Sequence, residues 1–319
     1  MPKIRTAGLK ELKRDDRDAT VGGLFQLPKI AELPANFILE GYNIKHQENS
    51  DFCSQFAACG ASELQEGVEL SPEWSFAAMK SMTGNPDSWG GDLRDACKVH
   101  TKMGAIEKTE APYSLDNKDR TFLVRLENWP SELKTKALKH QKQSYVSVTS
   151  IGDDDFDTIR KTIWKWRDEK RAVIIGVVFG WDLSQKIMDS PTQYGTGHAM
   201  YCIGWKTIES TIYAVIVQSY GKDAGDNGTH LFSRSIINKY VPIFGAYTLI
   251  DKPWEDIKYM IDNKIKEGDS LLLITPRLIF TAVWKIISSI WLTPGEKQDI
   301  IRNATKTMNE IADKIKPIK

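Results

Sequence analysis

The stretch Gln55-Phe56-Ala57-Ala58-Cys59-Gly60-Ala61 constrains this chain more than any other, because a helix so poor in bulky side chains can be packed tightly against its neighbours. The run Gln47-Glu48-Asn49-Ser50-Asp51-Phe52 precedes it and is polar enough to line a cleft. Cys53 stands at the junction. A cysteine at or near a helix N-terminus meets the partial positive charge of unpaired N–H groups, which favours thiolate over thiol. That is how a nucleophile is made.

A nucleophile needs a base, and two later segments supply candidates. Gln193-Tyr194-Gly195-Thr196-Gly197 reads as a Gly-rich turn entering a buried strand, which puts His198 at the strand start beside backbone that can be approached closely. The β-branched and aromatic run Ile212 to Val217 then ends in Gln218-Ser219-Tyr220-Gly221, so the next strand delivers an amide. Thiol, imidazole and amide stand in the order Cys53, His198, Gln218.

In that order the chain resembles the papain-like cysteine peptidases. Five motifs carry the resemblance in register: Gln47 six residues before Cys53, Gly90-Gly91, His198-Ala199, Gln218-Ser219-Tyr220-Gly221, and Ala224-Gly225-Asp226-Asn227-Gly228. Leu70-Ser71-Pro72-Glu73-Trp74 and Met103-Gly104-Ala105-Ile106 with Ala111-Pro112-Tyr113 look like further family stretches, and the likeness covers roughly residues 30 to 250. Four positions depart from the pattern. Gln218 stands where the family has Asn, Tyr220 where it has a shielding Trp and Ser54 where it has the Trp after the nucleophile; Ser50 replaces a Cys, so the family's disulfide at this loop is missing.

The resemblance implies an α+β, papain-like two-lobed fold, with a helical lobe and an antiparallel, β-barrel-like lobe on either side of a cleft. It also implies thiol peptidase chemistry on peptide or isopeptide bonds. Cys53 would form an acyl-enzyme with His198 as base, Gln218 would orient the imidazole, and the Gln47 amide with the Cys53 N–H would bind the oxyanion. Gly90 and Gly91 would form a cleft rim along which an extended peptide can run, because no Cβ blocks its approach. Trp89 flanks that rim, and Gly197 keeps the opposite wall open.

Other residues read more plainly. Cys59 and Cys202 are packing residues. Cys97 and His100 have metal-like spacing without a second ligand pair, so neither a metal nor another cofactor is expected. The acidic run Asp153-Asp154-Asp155 with Asp157 is N-terminal charge on a helix. With 43 basic and 42 acidic residues among 319, nothing supports nucleic-acid binding.

The pattern places helices near 53–66, 72–83 and 91–103, and strands near 172–179, 199–205, 212–218 and 246–250. Residues 1–29 are a lead-in segment, 30–252 the peptidase domain and 253–319 a helical extension. The start lacks the apolar core of a secretory signal, and four cysteines without obvious disulfide mates fit a reducing compartment; the expected location is cytoplasmic or virion-associated in a bacterial or phage setting. The lead-in is shorter than the inhibitory propeptides of secreted members, so restraint is expected from narrow specificity, a blocked cleft or a late partner. In the extension, Leu278 to Trp291 is apolar apart from one polar stripe, and Thr293-Pro294-Gly295-Glu296 is a capping box opening a second amphipathic helix. Its apolar faces have several outlets: the domain itself, an oligomer or larger assembly, or a peripheral membrane surface. Two rival functions stand beside the peptidase: a peptidoglycan hydrolase, and a structural or binding component with a weakened triad.

Overall fold

The computed structural model describes residues 8–13, 15, 18–149, 154–180, 182–190 and 195–251. The chain divides into two compact units, one of residues 1–14 and 20–251 and one of 15–19 and 252–319. The amphipathic helices expected beyond 252 lie outside the described residues. Among the described residues no helix is long and apolar enough to cross a membrane.

The first half of the larger unit is helical. Helix α1 (Cys53–Glu66) is buried from Cys53 through Leu64 and ends at Gly67, whose φ of 71° is the left-handed conformation that glycine tolerates best. Helix α2 (Pro72–Thr83) begins with Pro at its first position, and the Ser71 hydroxyl accepts from the Trp74 N–H at 3.3 Å. Helix α3 (Leu93–Lys102) starts at Asp92, whose carboxylate accepts from the Asp95 N–H at 2.8 Å. The polar stretch 116–143 folds into short helical turns, among them Arg120–Leu123 and Leu133–Ala137.

The second half is a sheet with helices at its sides. Strands β1 (Ser144–Ser147), β2 (Val173–Phe179), β3 (Thr196–Ile208), β4 (Thr211–Val217), β5 (Thr229–Phe232) and β6 (Ala246–Ile250) lie in the order β1-β6-β2-β3-β4-β5, each antiparallel to its neighbour. The two-residue strand Phe37–Ile38 adds to β3, and Ile187–Met188 adds to β5 in parallel. Helix α4 (Asp155–Lys165) is capped by Asp154, whose Oδ1 accepts from the Asp157 N–H at 3.1 Å, in keeping with the acidic run at its head. Helix α5 (Arg234–Phe244) precedes β6.

Small residues decide how the two halves meet. A Cβ on Gly60 would stand 2.5 Å from the Tyr201 ring, so α1 can cross β3 closely only because position 60 is glycine. That crossing sets the start of α1 beside the start of β3.

Candidate active site

Cys53 is the first residue of α1, and its helix has no side-chain cap, so the N-terminal N–H groups are not spent on a capping oxygen. The loop before it is stitched to the end of β4. The Gln47 N–H donates to Ser219 O at 2.8 Å, and the Ser219 hydroxyl donates to Gln47 Oε1 at 2.5 Å. Gln47 Nε2 donates to Ser50 O at 2.8 Å, and the Ser50 hydroxyl returns a bond to Gln47 O at 2.6 Å. An amide nitrogen carries two hydrogens, so this one retains a second donor.

His198 lies opposite Val177 in the β3–β2 pairing and is fully buried. Its ring stacks on Tyr220, with centroids 4.8 Å apart and planes 12° from parallel. The next residue, Ala199, directs its backbone N–H at the Cys53 thiol, as do Gly8 and Ser54. Gln218 takes a different part from the direct one expected of it. One methylene longer than Asn, its side chain curls onto its own turn: Nε2 donates to Gly221 O at 3.3 Å and Oε1 accepts from the Tyr220 N–H. The amide thus fixes the turn that carries Tyr220 against the imidazole.

Burial controls the charge state. Desolvation pushes the Cys53 thiol up to about 11, with Asp51 adding to the rise and the three backbone N–H groups opposing it. Desolvation likewise pushes His198 down to about 3, with His230 contributing. In this conformation both groups are neutral at neutral pH.

The cause of the burial is the chain itself. Leu9 N–H donates to Gly197 O at 2.9 Å, Gly91 N–H donates to Gly8 O at 2.9 Å, and Lys10 N–H donates to Gly91 O at 3.0 Å. The segment therefore bridges the two walls of the cleft, pairing in parallel with Gly91. Farther on, Leu12 N–H donates to Ile243 O at 3.0 Å. The Leu9 side chain is 7 % exposed and lies over Gly176 beside Phe244. A Cβ on Gly90 would fall 1.6 Å from Gly8 O, and one on Gly197 would fall 2.4 Å from Leu9 O. The glycine rim does hold an extended peptide, and that peptide is residues 8–12. Trp89 stands outside this contact, 45 % exposed, with the Arg120 guanidinium 5.1 Å from its ring centroid.

Gly8 presents an N–H to Cys53, while its carbonyl is turned to Gly91.

A second thiol lies beside an imidazole within the helical half. Cys59 Sγ is 3.9 Å from His100 Nε2 and 3.5 Å from Ser75 Oγ, all three fully buried. Burial pushes Cys59 up to about 12 and His100 down to about 3, and Cys59 stands in the middle of α1 rather than at its start. This is a packing contact. Among the described residues no group of three or more His, Cys, Asp or Glu is placed to hold a metal.

Residues 40–242 match the sequence profile described as papain family cysteine protease, more than half of the chain. The chain belongs to that family and is a cysteine-type peptidase, a hydrolase acting on peptide or protein substrates. Comparison with curated protein sequences gives no match. Among solved structures it resembles xylellain, a cysteine protease from Xylella fastidiosa, at 16% identity and a TM-score of 0.63, covering 79% of this chain and 99% of that one. It also resembles digestive procathepsin L2 from Tenebrio molitor larval midgut (16% identity, TM-score 0.56, 78% and 80% covered) and bromelain from Ananas comosus with the E64 inhibitor (15% identity, TM-score 0.50, 69% and 100% covered). At these identities the likeness shows the fold, a helical part joined to an antiparallel sheet.

Tyr220 stood out in the sequence as the residue in the shielding position, and a blocked cleft was among the expected restraints; which residues block the cleft, how Tyr220 stacks and what pairs with Asp51 were not legible. Gly8-Leu9 is too short to show a periodicity, and ring stacking and ion pairing join residues far apart in the chain.

Proposed function

We propose that Cys53 is the nucleophile and His198 the general base, and that residues 8–12 hold the peptidase closed. The observation that carries the reading is the placement of the thiol: it is at the first position of α1 and is addressed by the backbone N–H of Ala199, the neighbour of His198. With the segment withdrawn, water enters, the desolvation that keeps both groups neutral is relieved, and proton transfer from thiol to imidazole becomes favourable. The thiolate attacks a scissile carbonyl. The Cys53 N–H and the second hydrogen of Gln47 Nε2 face the oxyanion. The C–N bond breaks as the leaving amine takes the proton from the His198 imidazolium, and water, deprotonated by the same imidazole, then hydrolyses the thioester and returns the thiol. Tyr220, fixed by Gln218, keeps the imidazole in plane. A purely structural role would leave this arrangement without purpose.

A reducing, cytoplasmic setting belongs to the same proposal, and its support is that none of the four cysteines is in a disulfide. The test is alkylation of the full chain with an iodoacetamide or epoxide reagent followed by peptide mapping, before and after the closing segment is loosened by Leu9→Asp. Selective gain of label at Cys53, with Cys53→Ala abolishing peptide hydrolysis, is the expected result. Equal labelling at Cys53, Cys59, Cys97 and Cys202, or hydrolysis that survives Cys53→Ala, overturns the assignment.

A further inference from the structure

Asp51 lies two residues before the nucleophile with its side chain fully buried, and its partners come from two distant segments. Its Oδ1 accepts from Arg120 Nε at 2.7 Å; its Oδ2 accepts from Arg120 Nη2 at 2.8 Å and from the Gly90 N–H at 2.5 Å. A carboxylate has about four acceptor positions, and three are filled here, two of them by a bidentate guanidinium. Arg120 Nη2 also donates to Ser88 O at 2.8 Å. On the other side Lys80 Nζ donates to Ser88 O at 2.6 Å and to Gly90 O at 2.5 Å. The peptide groups of Gly90 are therefore gripped at both ends, its N–H by Asp51 and its C=O by Lys80.

The consequence falls on the next residue. With Gly90 fixed, the N–H and C=O of Gly91 face the cleft, where they take Gly8 O and the Lys10 N–H. Ser50 leaves this loop without a disulfide, so no covalent link joins the nucleophile loop to the rim.

We infer that Asp51 and Arg120 are positioning residues of the peptidase: together they clamp the Cys53 loop to the Gly90–Gly91 rim, so that a peptide held on Gly91 arrives in register with the thiol. The inference deepens the proposed function and rests on Cys53 as nucleophile. The pair also acts on the thiol by charge. Asp51 raises its pKa, whereas Arg120 neutralises Asp51; charged or titratable groups facing this region also include His198 on β3, Lys80 on α2, Lys10 in the closing segment, and Asp92 and Asp95 at the head of α3.

The variants are Asp51→Asn and Arg120→Gln, with Arg120→Lys as the conservative change and a second route if Asp51→Asn does not fold. In the full chain, hydrogen–deuterium exchange over residues 88–91 should rise about tenfold in Asp51→Asn and Arg120→Gln, the loss of a charged hydrogen bond, while α1 is unchanged. In the Leu9→Asp background, KM should rise about tenfold with kcat falling less than about threefold, and Arg120→Lys should restore part of it. The pH midpoint of Cys53 alkylation should move down in Asp51→Asn and up in Arg120→Gln. A residue that only supports the fold would move both midpoints in one direction or neither. Unchanged exchange at 88–91 together with unchanged KM, in a chain whose hydrolysis depends on Cys53, overturns the clamp. If hydrolysis survives Cys53→Ala, the nucleophile assignment has failed instead, and exchange at the rim still decides whether the clamp exists.

Discussion

Replacing Leu9 by Asp should convert the closed peptidase into an open one. Leu9 is 7 % exposed and its Cδ2 lies against the backbone of Gly176, so burying it contributes about 1.5–3 kcal/mol to the closed state. A carboxylate there loses that contribution and adds a desolvation penalty of several kcal/mol. The combined change is at least about 3 kcal/mol toward release, a shift of more than about a hundredfold in the closed-to-open ratio. The backbone bonds at Gly91 and Gly197 do not depend on the side chain, so Leu9→Met, similar in volume and apolarity, should stay closed. The assay is initial-rate hydrolysis of a fluorogenic peptide by the full chain, paired with the rate of Cys53 alkylation. Both should rise in Leu9→Asp up to the ceiling set by the closed fraction of the parent, and neither should rise in Leu9→Met. If parent and Leu9→Asp label Cys53 and hydrolyse peptide at the same rate, residues 8–12 do not guard the cleft and the closing argument is wrong.

Acid should destabilise the fold. His198 and His100 are each held down to about 3, so between about 6.5 and 3 the unfolded chain binds protons that the folded chain does not; the stability they confer is complete above 6.5 and is lost as pH falls toward 3. At about pH 5 the two together cost roughly 4 kcal/mol relative to neutral pH, read from urea midpoints across pH, and a His100→Asn variant should show roughly half that slope. Gln218→Ala removes both bonds that fix the Tyr220 turn, so in the Leu9→Asp background kcat should fall about tenfold, a loss of roughly 1–2 kcal/mol, with KM little changed. An unaltered kcat would show that Gln218 has no part in positioning the ring.

The order Cys53, His198, Gln218 was legible in the sequence because each is a local event, whereas the glycine rim was legible only through the family resemblance. A small-residue helix after a polar loop, a Gly-rich turn into an apolar strand, and a β-branched run ending in an amide are set by backbone preference and side-chain volume over a few residues. Helices α1 and α2 begin and end where the pattern placed them, since their stops, Gly67 and Gly84, adopt the left-handed conformation that glycine tolerates best. What Gln218 does was not legible: whether an amide reaches across to an imidazole or curls onto its own turn depends on one methylene and on where β4 ends relative to β3. Nor was the closing segment. Gly8 and Leu9 become a cleft ligand only because Gly91 and Gly197, far apart in the chain, present a donor and acceptors at the spacing of an extended strand. Asp51 alone reads as one more polar residue in a loop; its role comes from Arg120 and Gly90, and the low dielectric of a buried site is what makes such a meeting strong. The sequence by itself determined the chemical groups and their order, because those follow from local propensity. The tertiary structure decided their charge states, their partners and whether the cleft is open, because desolvation and long-range pairing exist only once the chain is folded.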